Sequence, residues 1–212
     1  MNMVDERFEL TAVICRLAGR PEYCSPDFGA YNTDYHREVA DVFAQFANHP
    51  AVEYAKKLTD IICYDKVLKF AVHIEKKGGE FVFIDDINSL FGAWNDESAR
   101  EFLRLYNRFY HDTGYAEFFN SHLALFEIAT ERFIEETYRH IDLGWFGKYV
   151  DAANLRCIYS LSSGNYAATV NNRIVYCLVH GGNPPITHEY CHAFANAIAD
   201  TWYNDCCAIT IL

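Results

Sequence analysis

The spacing of apolar residues changes about two thirds of the way along the chain, and this change most constrains the fold. Before it, apolar side chains recur at the helical spacings i, i+3, i+4 and i+7. After it, segments 155–161, 166–170 and 173–180 are rich in β-forming residues and are joined by Ser-Ser-Gly-Asn and Asn-Asn turn signals. A helical pattern then returns. We therefore predict an α+β fold, with a mostly helical region at 1–150 and, at 151–212, a small antiparallel β meander followed by one helix.

The helical region contains apolar stripes bounded by capping residues and glycines. Asp5 can cap a first helix that carries Leu10 and Leu17 on its apolar side, and Gly19 is placed to end it. The aromatic-rich stretch 102–126 is predicted to form the centre of a helical core. Further helices are predicted at 33–46, 50–60, 65–76, 96–112 and 116–140, and segment 81–84 is left open between a strand and a buried loop.

Residues 183–200 combine a helix start with the spacing of a metal site. Asn183 can cap the helix, and Pro184 suits its first position, where the missing N–H has no helical partner. His188 and His192 are four residues apart, so in a helix their imidazoles face the same way with Cβ atoms roughly 5–6 Å apart. Two side chains at this spacing can share one metal ion.

Glu189 completes an H-E-x-x-H motif, whose side chains suit metal-assisted hydrolysis. Two neutral imidazoles favour zinc, and a catalytic zinc site adds a third protein ligand and a water. Zinc lowers the pKa of that water to about 7 and polarises a substrate carbonyl. Glu189 is then the predicted general base, which takes the water's proton and passes it to the leaving amine. The motif predicts hydrolysis of peptide or protein substrates, and the alternative is a solvated helix face without chemistry.

The two sides of the predicted motif helix differ in character. At about 100° per residue, one side consists of Ile186, Tyr190, Phe194, Ala197 and Ile198, and the other consists of His188, His192, Ala195 and Ala199. The small alanines beside the imidazoles leave room for an ion, its water and a substrate. Cys191 is predicted to point toward the apolar side and to belong to the core.

The third zinc ligand is the incomplete part of the pattern, because neither Glu nor His follows His192. Asp200 lies two turns farther along the predicted helix and would have difficulty turning back to the ion. Asp205 follows a predicted helix break at 202–204 and is the better candidate. We also expect that the chain stops short of a second lobe that would complete the site.

Four segments carry a resemblance to a known family. They are Val-Asp-Glu-Arg-Phe-Glu-Leu at 4–10, Cys-Arg-Leu-Ala-Gly at 15–19, His-Pro-Ala-Val at 49–52 and His-Glu-Tyr-Cys-His-Ala-Phe-Ala-Asn at 188–196. The motif resembles that of the zincin metallopeptidases, and the four segments together resemble the bacterial family called domain of unknown function 4932, for which zinc-peptidase activity is expected. The resemblance implies a zincin-like catalytic domain in which an edge strand binds extended peptide, and 173–180 is the expected edge strand.

Charge and composition narrow the range of partners. The formal net charge is −11 and no basic block occurs, so we expect neither nucleic acid nor an anionic membrane as a partner. No apolar run is long enough to span a bilayer, which predicts a soluble protein, cytoplasmic by default and exported if a signal was removed. The eight cysteines are expected to be reduced thiols. The alternative to a peptidase is a binding or scaffold protein that keeps a zincin-like fold without a complete metal site.

Overall fold

The computed structural model of the chain describes residues 3–25, 33–59, 62, 65–84, 94–149, 155–162, 166–170, 174–178 and 186–209. Its helices are α1 (Glu6–Leu17), α2 (Pro21–Cys24), α3 (Asp34–Phe43), α4 (Pro50–Lys57), α5 (Asp65–Val72), α6 (Asp96–Asp112), α7 (Tyr115–Ser121), α8 (Leu123–Glu136), α9 (Leu143–Phe146) and α10 (Ile186–Ile209). Its strands are β1 (Ile74–Lys77), β2 (Glu80–Phe83), β3 (Arg156–Ser160), β4 (Tyr166–Val170) and β5 (Ile174–Leu178). The described residues are mainly helical with small sheets, so the predicted α+β class is confirmed.

Capping residues set the ends of the helices that the sequence predicted best. The Asp5 side chain accepts a hydrogen bond from the N–H of Arg7 and begins α1, and Gly19 follows the end of α1 with φ 71°. Asn95 and Ser98 form a capping box at the start of α6. These contacts satisfy N–H groups that have no partner inside the helix. The predicted helix at 96–112 is confirmed at both ends.

Residues 74–77 form a strand, so the predicted helix at 65–76 is wrong in its last turn. α5 ends earlier, and β1 pairs antiparallel with β2. Gly78 and Gly79 lie between the strands with φ of 60° and 92°, the positive values that a two-residue hairpin turn requires. The glycine pair therefore closes a hairpin instead of ending a helix, and the open segment 81–84 falls largely within β2.

The predicted helix at 116–140 is divided at His122, which leaves helical geometry with φ −102° and ψ 4°. Its ring Nδ1 lies 2.7 Å from the carbonyl oxygen of Phe118, and its Nε2 lies 3.1 Å from a carboxylate oxygen of Glu38 on α3. The ring is thus held between the preceding turn and a neighbouring helix. These contacts favour a break between α7 and α8 over a continuous helix.

Aromatic side chains of α6, α7 and α8 fill the larger of two hydrophobic clusters. Phe102, Phe109, Tyr115 and Phe126 are all buried, as predicted for the stretch 102–126. The smaller cluster supports the motif helix, and its members include Met3, Phe133, Ile141, Phe146, Leu155, Ile186 and Tyr190. Because this cluster combines residues from both sides of position 150, its packing crosses the predicted boundary between the two regions.

The three C-terminal strands form a mixed sheet, so the predicted antiparallel meander is wrong. The order is β3-β5-β4, with β3 and β5 parallel and β4 and β5 antiparallel. β5 has the continuous apolar sequence Ile-Val-Tyr-Cys-Leu, which suits a central strand covered on both faces. The predicted edge strand at 173–180 is therefore also wrong, because β5 is central. Among the described strands, β4 is at the edge.

The N-terminus joins this sheet beside β3. The N–H of Tyr159 donates to the carbonyl oxygen of Met3, 2.9 Å away, and Val4 forms an isolated parallel bridge with Tyr159. The ring of Tyr159 packs against both hydrophobic clusters. α1 is consequently tied to the sheet that precedes the motif helix.

Two expectations from composition can be compared with the described residues. The cysteines whose side chains are described are free thiols, namely Cys15, Cys24, Cys157 and Cys191. Burial raises the pKa of the Cys15 thiol to about 12, so this thiol stays protonated at neutral pH. None of the helices in the described part of the chain has the length and apolar character needed to cross a bilayer.

Candidate metal centre

The motif helix is α10, and its first turns are anchored by their apolar side. Ile186 and Tyr190 are 1% and 0% exposed and belong to the smaller hydrophobic cluster. α10 also lies against β4 and β5. The predicted cap, Asn183 with Pro184, is outside the described residues. The first turns of the motif helix are thus held by packing against the smaller hydrophobic cluster and the sheet.

Tyr190 provides the most buried contact of this helix. Its hydroxyl lies 3.4 Å from the hydroxyl of Tyr138, and its ring centroid lies 5.5 Å from that of Phe146. Burial raises the pKa of Tyr190 far above its ordinary value, so the phenol is neutral at physiological pH. The turn between the two motif histidines is therefore held in place by uncharged aromatic packing.

The opposite face of α10 carries His188 and His192, hereafter the histidine pair. Both residues are exposed, and so are Ala195 and Ala199 on the same face. This arrangement agrees with the predicted segregation of the helix. The small side chains leave the face open to solvent beyond the imidazoles.

Two residues predicted on the apolar side are exposed instead. Cys191 is exposed, and Ile198 is 47% exposed. The buried stripe includes Tyr190 and Ala193, and at about 100° per residue Cys191 lies on its flank, one turn from His188. The prediction that Cys191 belongs to the core is therefore wrong, because the buried stripe is narrower than the apolar sequence suggests.

The two imidazoles converge on one point. The Nε2 atoms of His188 and His192 are 2.8 Å apart, with ring centroids 4.4 Å apart and planes at 87°. At this distance one ring nitrogen can donate an N–H to the other. The histidine pair thus presents two ring nitrogens side by side at the surface of the helix.

Glu189 occupies the flank of α10 that faces the sheet. It is 8% exposed, in contrast to the exposed histidine pair. The hydroxyl of Thr169 on β4 lies 2.8 Å from the backbone carbonyl oxygen of Glu189 and 3.1 Å from its Oε2. One ligand atom from each of the three motif residues lies within 4.8 Å of the others. A carboxylate held by the strand therefore stands beside the converging imidazoles.

The donor set fits zinc. Zinc takes imidazole nitrogens and carboxylate oxygens, and a catalytic site needs ligands grouped on one open side. His188 and His192 would hold the ion, since their nitrogens already converge. Glu189 is turned toward β4 by its contact with Thr169, which suits a base better than a ligand.

The predicted third ligand, Asp205, lies far along α10 from the histidine pair. α10 is one continuous helix through residues 202–204, so the predicted break is wrong. The backbone of Asp205 is thirteen residues beyond His192, which at 1.5 Å per residue is about 20 Å along the axis. Asp200 is about 12 Å along by the same measure. In a continuous helix, both backbone positions are thus farther from His192 than an aspartate side chain spans.

Three histidines of the helical region lie outside the motif. His111 Nε2 lies 2.7 Å from a carboxylate oxygen of Glu80, and His122 is paired with Glu38. His140 is exposed at the end of a short 3₁₀ segment. None of the three belongs to the metal cluster of the motif.

Thr169 is the site residue that sequence reasoning missed. It is one threonine in a strand, twenty positions before Glu189, and nothing in the local pattern distinguishes it from a residue chosen for strand propensity. Thr169 can be identified only once the pairing of β4 with β5 and the packing of β4 against α10 are known. The sequence alone records neither of these.

No protein-family model, no curated protein and no solved structure matches the chain. The resemblance to the zincins and to domain of unknown function 4932 therefore stays a prediction.

Proposed function

We propose that this chain is a zinc-dependent peptidase in which His188 and His192 hold the metal and Glu189 acts as general base. The observation that carries the proposal is the convergence of the two Nε2 atoms, 2.8 Å apart, beside a carboxylate on the same helix. The exposure of the histidine pair leaves this face accessible to a substrate.

The residues divide the chemistry of peptide hydrolysis between them. Zinc, when bound, lowers the pKa of a coordinated water and polarises the scissile carbonyl. Glu189 accepts the proton of the attacking water and later donates it to the leaving amine, so no covalent intermediate forms with the protein. Its position on the helix beside the imidazoles supports this role, as does its low exposure of 8%, which limits competing contacts with solvent.

We assign the binding of extended peptide to β4 in place of the central segment at 173–180. β4 is at the edge of the described sheet, and edge strands have backbone N–H and C=O groups able to pair with another chain. Thr169 connects this strand directly to Glu189. A peptide paired along β4 would therefore pass close to the base.

A second candidate function is that of a metal-free binding or scaffold protein. The specific observation that favours it is the ligand count, because the metal cluster in the described part of the chain has two histidines and the base, without a third ligand. Such a protein would retain the helix and sheet and could still bind extended chains along β4.

Zinc content separates the two functions. We expect wild-type protein to contain stoichiometric zinc by mass spectrometry of the metal, and His188→Ala and His192→Ala each to lose it. His111→Ala is the matched control, because this exposed histidine pairs with Glu80 and not with the motif. Wild-type protein that stays free of zinc after incubation with the metal would refute the peptidase and leave the scaffold.

Hydrolysis is tested separately with a library of internally quenched peptides. Wild-type protein should cleave part of the library, and a chelator or His192→Ala should stop cleavage. Zinc-loaded protein that cleaves no member would contradict the peptidase even if the metal site is correct.

A further inference from the structure

The carboxylate of Glu189 needs an external group to fix its orientation. The side chain has several rotatable bonds, and a base must keep one oxygen directed at the reacting proton. In the proposed enzyme the Nε2 atoms of the histidine pair hold the zinc, so they are not available to restrain the carboxylate. A donor from a neighbouring element can supply the restraint.

The contact from β4 meets this need. The Thr169 hydroxyl lies 3.1 Å from Oε2 of Glu189 and 2.8 Å from the carbonyl oxygen of the same residue. Both partners are acceptors, so the hydroxyl is the donor in either case. A hydrogen bond to Oε2 restricts rotation of the carboxylate and therefore limits where its second oxygen can lie.

We propose that Thr169 is the positioning residue for Glu189 and that its hydroxyl holds the carboxylate in the orientation that the base requires. The proposal rests on the proposed function for its effect on catalysis, but the contact itself does not depend on metal or activity. Thr169 acts through Glu189 and takes no part in the bond-breaking steps.

The strand position makes this assignment specific. Thr169 pairs with Val175 in the antiparallel ladder, so its backbone is fixed by β5 and not by the motif helix. The hydroxyl is therefore presented from a separate, sheet-bound element. A hydroxyl on a loop without such backbone pairing would restrain Glu189 less.

Thr169→Val removes the hydroxyl and keeps a β-branched side chain of similar shape, and Thr169→Ser keeps the hydroxyl. With glutamate labelled at its carboxyl carbon, the NMR signal of Glu189 is identified by its absence in Glu189→Gln. We expect this signal to shift in Thr169→Val and to stay near its wild-type position in Thr169→Ser, in metal-free protein. An unshifted signal in Thr169→Val would overturn the proposal.

Kinetics provide the second readout. We expect Thr169→Val to lower kcat by about 10- to 100-fold, the range for a hydrogen bond to a charged group, with unchanged KM and zinc content. Thr169→Ser should restore most of kcat. Thr113→Val is the matched control, because it removes a hydroxyl that donates to the carbonyl oxygen of Phe109 on α6, away from the motif.

The two readouts keep the proposals distinguishable. A shifted carboxyl signal with unchanged kcat in Thr169→Val would reject the positioning role while leaving the peptidase intact. If the wild-type protein hydrolyses no peptide, the proposed function fails, and the carboxyl signal still decides whether Thr169 orients Glu189.

Discussion

Two buried glutamates in this protein have opposite surroundings. Glu9 on α1 is 0% exposed and accepts hydrogen bonds from four donors, which are the N–H groups of Leu161 and Ser162 and the hydroxyls of Ser162 and Tyr35. Glu189 is 8% exposed, and in the described part of the chain Thr169 is the donor seen at its carboxylate. Protein donors thus surround the carboxylate of Glu9, whereas one hydroxyl contacts the carboxylate of Glu189 in the described part of the chain.

This difference separates a structural group from a candidate base. A carboxylate whose acceptor sites are filled by protein donors links elements together, and Glu9 ties α1 and α3 to the turn after β3. A carboxylate that keeps free acceptor capacity beside two imidazoles can take a proton from a water. Burial alone therefore does not separate the two glutamates, whereas the number of donors does, and Glu189 keeps the acceptor capacity that the proposed base requires.

The largest effect is expected at the base. Glu189→Gln should lower kcat by about 10²- to 10⁴-fold, the range for loss of a general base, while zinc content stays at the wild-type level. Steady-state hydrolysis and metal analysis of the same preparation provide the measurement. Unchanged hydrolysis in this variant would refute the assigned base and remove the contrast with Glu9.

The corresponding change at Glu9 should act on stability. Glu9→Gln replaces one acceptor oxygen with an N–H₂ group that faces protein donors, so we expect a loss of about 1–3 kcal/mol in the free energy of unfolding. Urea denaturation measures this loss. At a temperature where Glu9→Gln is folded, its kcat should fall far less than that of Glu189→Gln. A larger loss of kcat in Glu9→Gln than in Glu189→Gln would contradict the different roles assigned to the two glutamates.

The pH dependence of stability provides a smaller and more specific test. Burial raises the pKa of Glu9, and the hydrogen bonds from Ser162 and Leu161 only partly oppose this. A raised native pKa stabilises the fold below the unfolded value of about 4.3, and this contribution is lost as pH rises through the native pKa. The free energy of unfolding of wild type minus that of Glu9→Gln should therefore fall as pH rises above about 4.3.

Asp5 is the control with the opposite sign. Burial acts to raise its pKa, but the hydrogen bond and charge of Arg7, with the charge of Arg156, lower it overall. Its contribution is present above the unfolded value of about 3.9 and is lost as pH falls through the native pKa. The difference between wild type and Asp5→Asn should accordingly fall toward acid pH. If both differences in the free energy of unfolding, wild type minus Glu9→Gln and wild type minus Asp5→Asn, changed with pH in the same direction, these pKa assignments would be wrong.

The smallest effect is expected at the rejected ligand. Asp205→Ala should leave zinc affinity unchanged, because its backbone lies about 20 Å along the axis of α10 from His192. Competition with a chromophoric chelator measures this affinity. A large loss of affinity would mean that the helix does not continue through 202–204 in the metal-bound protein.

Local signals in the sequence predicted local structure well. α1 and α6 were predicted correctly because their apolar spacing depends on residues only a few positions apart, and the structure shows local caps at Asp5 and Asn95. The strand at 74–77 was missed because its apolar spacing also suits a helix, and only pairing with β2 across Gly78 and Gly79 decides between them. The order of β3, β5 and β4 was missed for the same reason, since it depends on partners distant in sequence.

The sequence by itself determined the motif, the face of α10 that carries it and the α+β class. These follow from helical periodicity and capping, which act over three or four residues. Only the tertiary structure decided that Thr169 meets Glu189, that β4 lies at an edge of the described sheet and that position 205 is about 20 Å along the axis of α10 from His192. Strand order and helix length are set by packing between segments far apart in the chain, and no short-range pattern records them.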